Sequence, residues 1–164
     1  MKIRIAGIAE ETIVDGVGFR YAVFTQGCYI NCPGCHNPET HDPNGGRDAH
    51  TEDLIAQFSD NPLLDGITLT GGDPFLQPEA CLELAKAAHA AGLNVWAYSG
   101  QTLEMLRAMD RPHLQDLLDE IDVLVDGPYL AEKRALSMRF RGSSNQRVID
   151  MRKTKELGTI TEIE

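Results

Sequence analysis

The chain has 164 residues, of which 42% are hydrophobic and 24% charged, so its composition excludes wholesale disorder and favours one domain over residues 1–164. Its 15 basic and 25 acidic residues give a net charge of −10, which argues against nucleic acid as a partner because phosphates would repel the chain. Segment 131–155 has the opposite sign, with eight basic and two acidic residues and a net charge of +6. That segment is either a solvated basic face or a surface for an anionic partner.

The N-terminal sequence has no pattern typical of an export signal, because Glu10 and Glu11 interrupt it before an apolar core develops. The longest weakly polar stretch, 84–93, contains Lys86 and His89 and is too short to cross a membrane. We therefore expect a cytoplasmic protein without membrane contact. In that reducing compartment the four cysteines are thiols or metal ligands rather than disulfides.

The predicted elements begin with a β-hairpin over 3–14 and continue as an alternation of strands and helices. Runs of β-prone residues that end at turn residues predict strands at 20–25, 66–70, 94–98, 121–125 and 147–149. Helical periodicity predicts helices at 51–58, where a cap begins the helix, and at 78–91, 102–109 and 113–120.

This alternation is typical of parallel βαβ units, which are too few here to close an eight-stranded barrel. The expected fold class is therefore α/β, a partial, open (βα) barrel with an N-terminal β-hairpin. In such folds the chemistry gathers at the C-terminal ends of the parallel strands.

Three cysteines follow the strand predicted at 20–25 and have the spacing C-x3-C-x2-C: Cys28, Cys32 and Cys35. Three thiolates on one short loop can converge on one metal centre, and a cubane iron–sulfur cluster with one iron left open fits this spacing. A structural zinc site would need a fourth ligand, which His36 or His41 could supply. A redox dithiol at Cys32 and Cys35 would leave Cys28 unexplained.

The fourth cysteine, Cys81, lies far along the chain from the other three. It belongs to the apolar stripe of the helix predicted at 78–91, together with Leu84, Ala85 and Ala88. We expect it to be a buried small hydrophobe rather than a metal ligand.

Further motifs accompany the cysteines and extend over most of the chain, at 15–20, 27–37, 70–74, 123–127 and 141–146. In this order they resemble the radical S-adenosylmethionine superfamily and, within it, the activating proteins of anaerobic (class III) ribonucleoside-triphosphate reductases. The three-cysteine motif is typical of the superfamily. The Arg-Gly-Ser-Ser-Asn-Gln stretch at 141–146, combined with Cys-Pro-Gly-Cys at 32–35, indicates the narrower family.

The resemblance implies that Cys28, Cys32 and Cys35 ligate three irons of a [4Fe–4S] cluster and that the fourth iron binds S-adenosylmethionine. The implied activity is that of an oxidoreductase, a glycyl-radical-activating enzyme. The reduced cluster would cleave S-adenosylmethionine to a 5′-deoxyadenosyl radical, which abstracts a hydrogen atom from a C-terminal glycine of the large reductase subunit. The implied partners are this large glycyl-radical subunit and a flavodoxin-like or ferredoxin-like electron donor. Such carriers are typically acidic, so segment 131–155 is their candidate docking surface.

The resemblance also implies that Gly71, Gly72, Asp73 and Pro74 bind the cofactor. Glycines let the backbone approach a ligand closely, and its exposed carbonyls can accept hydrogen bonds from the ammonium group. The alternative is a strand-to-helix turn in which Asp73 is the N-cap and Pro74 the first helical residue. Both interpretations can hold together.

Two strand-end positions are further candidates for S-adenosylmethionine binding. Asp126 would accept hydrogen bonds from the ribose hydroxyls. The alternative is that Asp126 is only a turn residue. Ser99 is a candidate for binding the same part of the ligand. Some relatives have a lysine where this chain has Pro128. Arg141 or Arg147 is therefore the candidate to face the ligand carboxylate.

Two other function classes remain open from the sequence. One is a radical S-adenosylmethionine enzyme that acts on another glycyl-radical protein or on a small molecule. The other is a zinc-stabilised binding module without catalysis, which would be colourless and free of iron.

Overall fold

The computed structural model describes residues 1–28, 38–135 and 137–163. In these residues one sheet contains seven strands, β1 (Lys2–Thr12), β2 (Arg20–Thr25), β3 (Arg47–His50), β4 (Gly66–Gly71), β5 (Asn94–Tyr98), β6 (Val123–Asp126) and β7 (Arg147–Asp150). The same residues contain five α-helices, α1 (Thr51–Ser59), α2 (Pro78–Ala90), α3 (Leu103–Ala108), α4 (Leu114–Glu120) and α5 (Met151–Leu157). None of these helices is long and apolar enough to cross a membrane.

The strands lie in the order β3-β1-β2-β4-β5-β6-β7. The four central strands from β2 to β6 run parallel, whereas β1 is antiparallel to β2 and β3, and β7 is antiparallel to β6. The sheet ends at β3 and β7 and does not close, which confirms the predicted open α/β fold class. The N-terminal hairpin consists of β1 and β2. The prediction that 3–14 alone forms a hairpin is wrong, because Lys2–Thr12 is one continuous strand.

Most element boundaries agree with the sequence prediction within two residues. The two elements that were not predicted, β3 and α5, are short. β3 was not predicted because three of its four residues are exposed and only Ala49 is buried. The seven-residue α5 was also missed; Asp150 caps it by accepting a hydrogen bond from the backbone N–H of Lys153. The predicted cap of α1 is wrong. Its N-cap is His50, whose side chain makes no capping bond within the described residues.

The outer face of the sheet carries the main core. Strand residues such as Val23, Leu69 and Leu124 point outward and pack in one cluster with α1, α2 and α4. The predicted stripe of α2 is confirmed, because Cys81, Leu84, Ala85 and Ala88 are all fully buried. Each buried Leu of this kind stabilises the fold by about 1.5–3 kcal/mol.

The inner face differs, because a fully buried arginine lies there at the N-terminal ends of the parallel strands. The Arg20 guanidinium donates hydrogen bonds to Thr68 Oγ1 (2.7 Å) and to the carbonyls of Ile67 (2.6 Å) and Val17 (2.9 Å). It also lies over the Trp96 ring, 5.4 Å from the centroid. Burial lowers the pKa of Arg20 to about 10. These contacts hold the loop 13–19, which joins β1 to β2, against the N-terminal ends of the parallel strands.

Candidate active site

A cavity of about 230 Å³ lies on the inner side of the sheet, where the parallel strands end. Of the predicted site residues, the structure brings together Cys28, Gly71, Gly72 and Ser99 on its wall. Asp73, Pro74 and Asp126 lie beside it and do not line it. The remaining wall comes from other loops and strand ends, namely Asp15, His41, Thr70, Tyr98, Gly100, Val125, Gly127, Tyr129, Phe140, Arg141, Gly142 and Gln146.

The glycines at the end of β4 pack against the chain that leads to Cys28. The backbone φ of Gly71 is +95°, and a Cβ added there would lie 2.5 Å from the backbone nitrogen of Thr25. A Cβ on Gly72 would lie 2.3 Å from the carbonyl oxygen of Gly27. The Gly72 N–H donates to Thr25 O (2.8 Å) and the Asp73 N–H to Gly27 O (2.8 Å). Only glycine fits this close approach, which leaves its backbone at the cavity wall.

Asp73 is buried behind Gly71 and Gly72, which we call the glycine edge, and it joins the ends of β4 and β5. Its Oδ1 accepts from the Phe75 N–H (3.0 Å), while its Oδ2 accepts from Ser99 Oγ (2.8 Å) and from the Gly100 N–H (3.3 Å). The capping interpretation is confirmed, since Asp73 is the N-cap and Pro74 begins a short 3-10 helix. Burial raises the pKa of Asp73 to about 6, against the opposing effect of the Ser99 hydrogen bond.

Asp126 is buried at the end of β6, where protein donors serve both carboxylate oxygens. Arg147 binds it with two nitrogens, and the Leu103 N–H donates to its Oδ2 (2.7 Å). Arg147 also donates to Glu104 (2.6 Å), and the hydrogen bonds to Asp126 and Glu104 raise the pKa of Arg147. This ion pair joins β6, β7 and α3. Its neighbours Val125 and Gly127 line the cavity, and the ribose-binding role of Asp126 stays a prediction.

The motif at 141–146 supports the end of β6. The Gln146 side chain accepts hydrogen bonds from the N–H groups of Gly142 (2.9 Å) and Ser143 (3.2 Å), and it donates to the carbonyl of Gly127 (3.0 Å). The Asn145 side chain donates to the carbonyl of Pro128 (2.8 Å). The motif therefore shapes the wall around Gly127 through two amide side chains.

Cys28, the first of the three cysteines, lies at the cavity shortly after the end of β2. The Cys28 N–H donates to the carbonyl of His41 (3.0 Å), and the half-buried Cys28 lies on the cavity wall. The His41 Nε2 is buried and has no hydrogen-bond partner in the part of the chain that the structure describes. Cys32, Cys35 and His36 lie outside the described residues. A cysteine, an imidazole nitrogen and a glycine edge around one cavity are donors that fit an iron–sulfur cluster with a ligand beside it.

The basic segment 131–155 contributes both ion pairs and exposed basic side chains. Towards its end, Arg147, Arg152 and Lys155 pair with Asp126, Asp122 and Asp119 respectively, all of them outside the segment. Towards its start, Lys133, Arg134 and Arg139 are exposed near Tyr129 and Phe140, which line the cavity. These three exposed bases are close in sequence to residues of the cavity wall.

Comparison with known proteins identifies relatives over most of this length. Residues 14–149 match the family model described as "4Fe-4S single cluster domain". The anaerobic ribonucleoside-triphosphate reductase-activating protein of Escherichia coli K12 is 35% identical over 149 residues, covering 85% of this chain and 94% of that protein. Its counterpart from Enterobacteria phage T4 is 31% identical, covering 82% and 86%.

Two other similarities are more distant. The pyruvate formate-lyase-activating enzyme of Clostridium pasteurianum is 36% identical over 96 residues, but this covers only 40% of that enzyme. The crystal structure of QueE from Escherichia coli superimposes with a TM-score of 0.50 at 16% identity, covering 77% of this chain and 70% of that one. The second similarity supports the fold alone.

The predicted family, enzyme class and cofactors are thus confirmed, because the chain matches a single [4Fe–4S] cluster domain and reductase-activating proteins over most of its length. The matched region contains the glycine edge, Cys28 and the 141–146 motif, which border the cavity. The chain belongs to the family of anaerobic ribonucleoside-triphosphate reductase-activating proteins.

Proposed function

We propose that this protein activates the large subunit of an anaerobic ribonucleotide reductase by generating a glycyl radical near the C-terminus of that subunit. The observation that carries the proposal is the cavity in which Cys28 and the glycine edge of β4 meet. The relatives support the target, because the Escherichia coli activating protein is matched over 94% of its length. The match to the pyruvate formate-lyase-activating enzyme covers only part of that enzyme, so we propose the reductase as the target of activation.

The cofactors supply the bond-breaking chemistry, and this chain's residues hold and orient them. When bound, the [4Fe–4S] cluster and S-adenosylmethionine supply reductive cleavage of a carbon–sulfur bond and abstraction of a hydrogen atom. Cys28, together with Cys32 and Cys35, would hold the cluster through thiolates. Three protein ligands would leave the fourth iron open to S-adenosylmethionine.

The glycine edge would hold the amino group of S-adenosylmethionine. The backbone of Gly71 and Gly72 lies on the cavity wall, where its carbonyls can accept hydrogen bonds from an ammonium group. Asp73 and Ser99 would support this edge without touching the ligand. The hydrogen bond between them fixes the distance between the ends of β4 and β5. Pro74 fixes the direction in which the chain leaves this edge.

The opposite wall would hold the nucleoside and the carboxylate. Asp126 lies at the end of β6, and we propose that it positions the backbone of Gly127 for the ribose through its pair with Arg147. Arg141 lines the cavity and is our candidate for the ligand carboxylate, since an arginine fork matches a carboxylate in geometry and charge. Arg147 is already engaged with two carboxylates and is the weaker candidate.

The test is the glycyl radical itself. Anaerobically reconstituted protein is mixed with the large reductase subunit, S-adenosylmethionine and dithionite, and the radical is measured by EPR. We expect a glycyl-radical signal that disappears when the C-terminal glycine of the subunit is replaced by alanine, and when Cys28 is replaced by alanine in the activating protein. Cleavage of S-adenosylmethionine without any radical on the subunit would contradict the proposal and favour a small-molecule substrate.

We further propose that the electron reaches the cluster from an acidic flavodoxin-like or ferredoxin-like carrier in the cytoplasm. The exposed bases at 133, 134 and 139 lie near the cavity, so they can steer such a carrier towards it. Lys133→Glu combined with Arg139→Glu should slow cluster reduction by the carrier, most strongly at low salt, and leave reduction by dithionite unchanged. Equal rates with the carrier in wild type and variant would contradict this docking surface.

A further inference from the structure

His41 carries a buried polar atom to which the rest of the described chain offers no partner. His41 lies on the wall of the cavity that Cys28 and the glycine edge also line. Its Nε2 is buried and makes no hydrogen bond with any residue that the structure describes. A hydrogen-bonding group that is removed from water and left alone costs free energy, so buried groups of this kind normally have a partner. A ligand of the cavity is therefore the candidate partner for this nitrogen.

The backbone fixes His41 beside Cys28. The Gly27 N–H donates a hydrogen bond to the carbonyl of Thr40 (2.6 Å). The next residue repeats the contact, because the Cys28 N–H donates to the carbonyl of His41 (3.0 Å). The His41 N–H in turn donates to the carbonyl of Pro38 (3.2 Å), which closes a 3-10 turn. Backbone segments paired in this way lie about 5 Å apart. His41 and Cys28 are therefore neighbours on one wall of the cavity.

The chemistry of an iron–sulfur cluster matches this nitrogen. The sulfur atoms of a cluster accept hydrogen bonds, and such bonds are among the factors that set its reduction potential. The protonated nitrogen of a neutral imidazole is a donor, whereas the carbonyls of the glycine edge can only accept. The carboxylate of S-adenosylmethionine is another possible acceptor, but Arg141 is already its candidate partner. Because His41 is paired with Cys28, the cluster is the acceptor that the structure favours.

We propose that the Nε2–H of His41 donates a hydrogen bond to a sulfur of the cluster that Cys28 holds, and that this bond raises the reduction potential of the cluster. The inference rests on the proposed function, because it takes Cys28 as a cluster ligand. Reduction adds one electron from the carrier, and so one negative charge, while His41 keeps its proton and no bond breaks. A hydrogen-bond donor stabilises the more negative state. The cluster is therefore easier for the carrier to reduce.

The experiment compares three variants of the reconstituted protein. His41→Phe keeps a planar ring of similar size and removes the donor, whereas His41→Gln restores an N–H donor on a side chain of similar reach. His50→Phe is the matched control, because His50 is exposed at the start of α1 and does not line the cavity. The midpoint potential is measured by EPR during titration with dithionite. S-adenosylmethionine is left out, so that only contacts with the cluster contribute.

We expect His41→Phe to lower the midpoint potential. At a fixed solution potential the ratio of reduced to oxidised cluster should fall about tenfold, which corresponds to about 59 mV for a one-electron couple. His41→Gln and His50→Phe should stay within about twofold of the wild-type ratio, since the first keeps a donor and the second lies elsewhere. A residue that only supports the fold would not move this potential in loaded protein.

Pulsed EPR of wild type with isotope-labelled histidine gives a second reading that does not require His41→Phe to bind the cluster. An imidazole that is hydrogen-bonded to the cluster gives a weak coupling between the cluster spin and its nitrogen. An imidazole bound directly to iron gives a strong coupling. We expect a weak coupling that is lost in His41→Gln.

Different results would overturn different parts of the account. An unchanged midpoint potential in loaded His41→Phe would overturn the inference alone, and weaker binding of S-adenosylmethionine in that variant would assign His41 to the ligand. A strong histidine coupling that His41→Gln removes would make His41 an iron ligand instead of a hydrogen-bond donor. A wild-type protein that holds no reducible cluster would contradict the proposed function and this inference together.

Discussion

The outer face of the sheet packs aliphatic side chains against helices, whereas the inner face combines a smaller apolar cluster around Trp96 with a buried arginine held by hydrogen bonds. On the outer face Leu84, Leu69 and Leu124 are fully buried with apolar neighbours. On the inner face Arg20 is just as deeply buried, and it is held by specific hydrogen bonds and by the Trp96 ring. The outer face supplies stability through apolar area, and the inner-face arginine ties the β1–β2 loop to the parallel strands.

The largest expected effect comes from removing the inner-face arginine. Arg20→Ala leaves Thr68 Oγ1 and the carbonyls of Ile67 and Val17 without their donor, so we expect the free energy of unfolding to fall by about 3–5 kcal/mol. Urea denaturation measures this change. Arg107→Ala, on the exposed side of α3, is the control and should cost under about 0.5 kcal/mol. Equal losses in both variants would contradict the structural role of Arg20.

Truncation on the outer face should lower stability without altering the site. Leu84→Ala removes a fully buried side chain of α2 and should cost about 2–5 kcal/mol in urea denaturation. Because Leu84 is on the other side of the sheet, the affinity of the folded variant for S-adenosylmethionine should stay within about twofold of wild type. A large loss of affinity at temperatures where the variant is folded would show that the two faces are coupled.

Alanine substitution of two glycines distinguishes the cost of backbone strain from the cost of a steric clash beside the cavity. Gly71 (φ +95°) and Gly92 (φ +80°) both have a left-handed backbone, but an added Cβ meets Thr25 at the first and open space at the second. We expect Gly71→Ala to cost about 3 kcal/mol and Gly92→Ala about 1 kcal/mol in thermal or urea unfolding. Only Gly71→Ala should also weaken binding of S-adenosylmethionine. Similar behaviour of the two variants would contradict the close packing of β4 on β2.

The smallest expected effect is a pH dependence at Asp73. Burial raises its pKa to about 6, so between pH 4 and pH 6 the folded state binds more protons than the unfolded state. The energetic penalty of the buried carboxylate is therefore present above pH 6 and is relieved as the pH falls towards 4. In the apoprotein, the stability of wild type relative to Asp73→Asn should increase over that fall in pH. A difference that is constant from pH 7 to pH 4.5 would contradict this assignment.

The sequence predicted the features that depend on local pattern. Runs of β-prone residues that end at turn residues defined the strands at 20–25 and 94–98, and the Asp73-Pro74 cap follows from residue types at adjacent positions. The cysteine spacing and the glycine edge identified the region of the site, and Cys28, Gly71 and Gly72 do lie on one cavity wall.

The features that were missed depend on partners distant in the chain. Arg20 reads as an ordinary surface arginine at the start of a strand, and nothing in its neighbourhood indicates that Thr68 and Trp96 enclose it. The pairing of Asp126 with Arg147 joins residues 21 positions apart on antiparallel strands. The role of Gln146 becomes visible only when Gly127 and Gly142 are brought to either side of it.

Cys28 and the glycine edge line one cavity, and we propose that they hold a cluster with one iron open to S-adenosylmethionine. EPR of the anaerobically reconstituted, dithionite-reduced protein, with and without S-adenosylmethionine and beside Cys28→Ala, tests this proposal most directly. We predict a reduced-cluster signal that changes shape when S-adenosylmethionine is added and is lost or strongly depleted in Cys28→Ala. A folded, iron-free, zinc-containing protein after reconstitution, with no EPR signal, would contradict it.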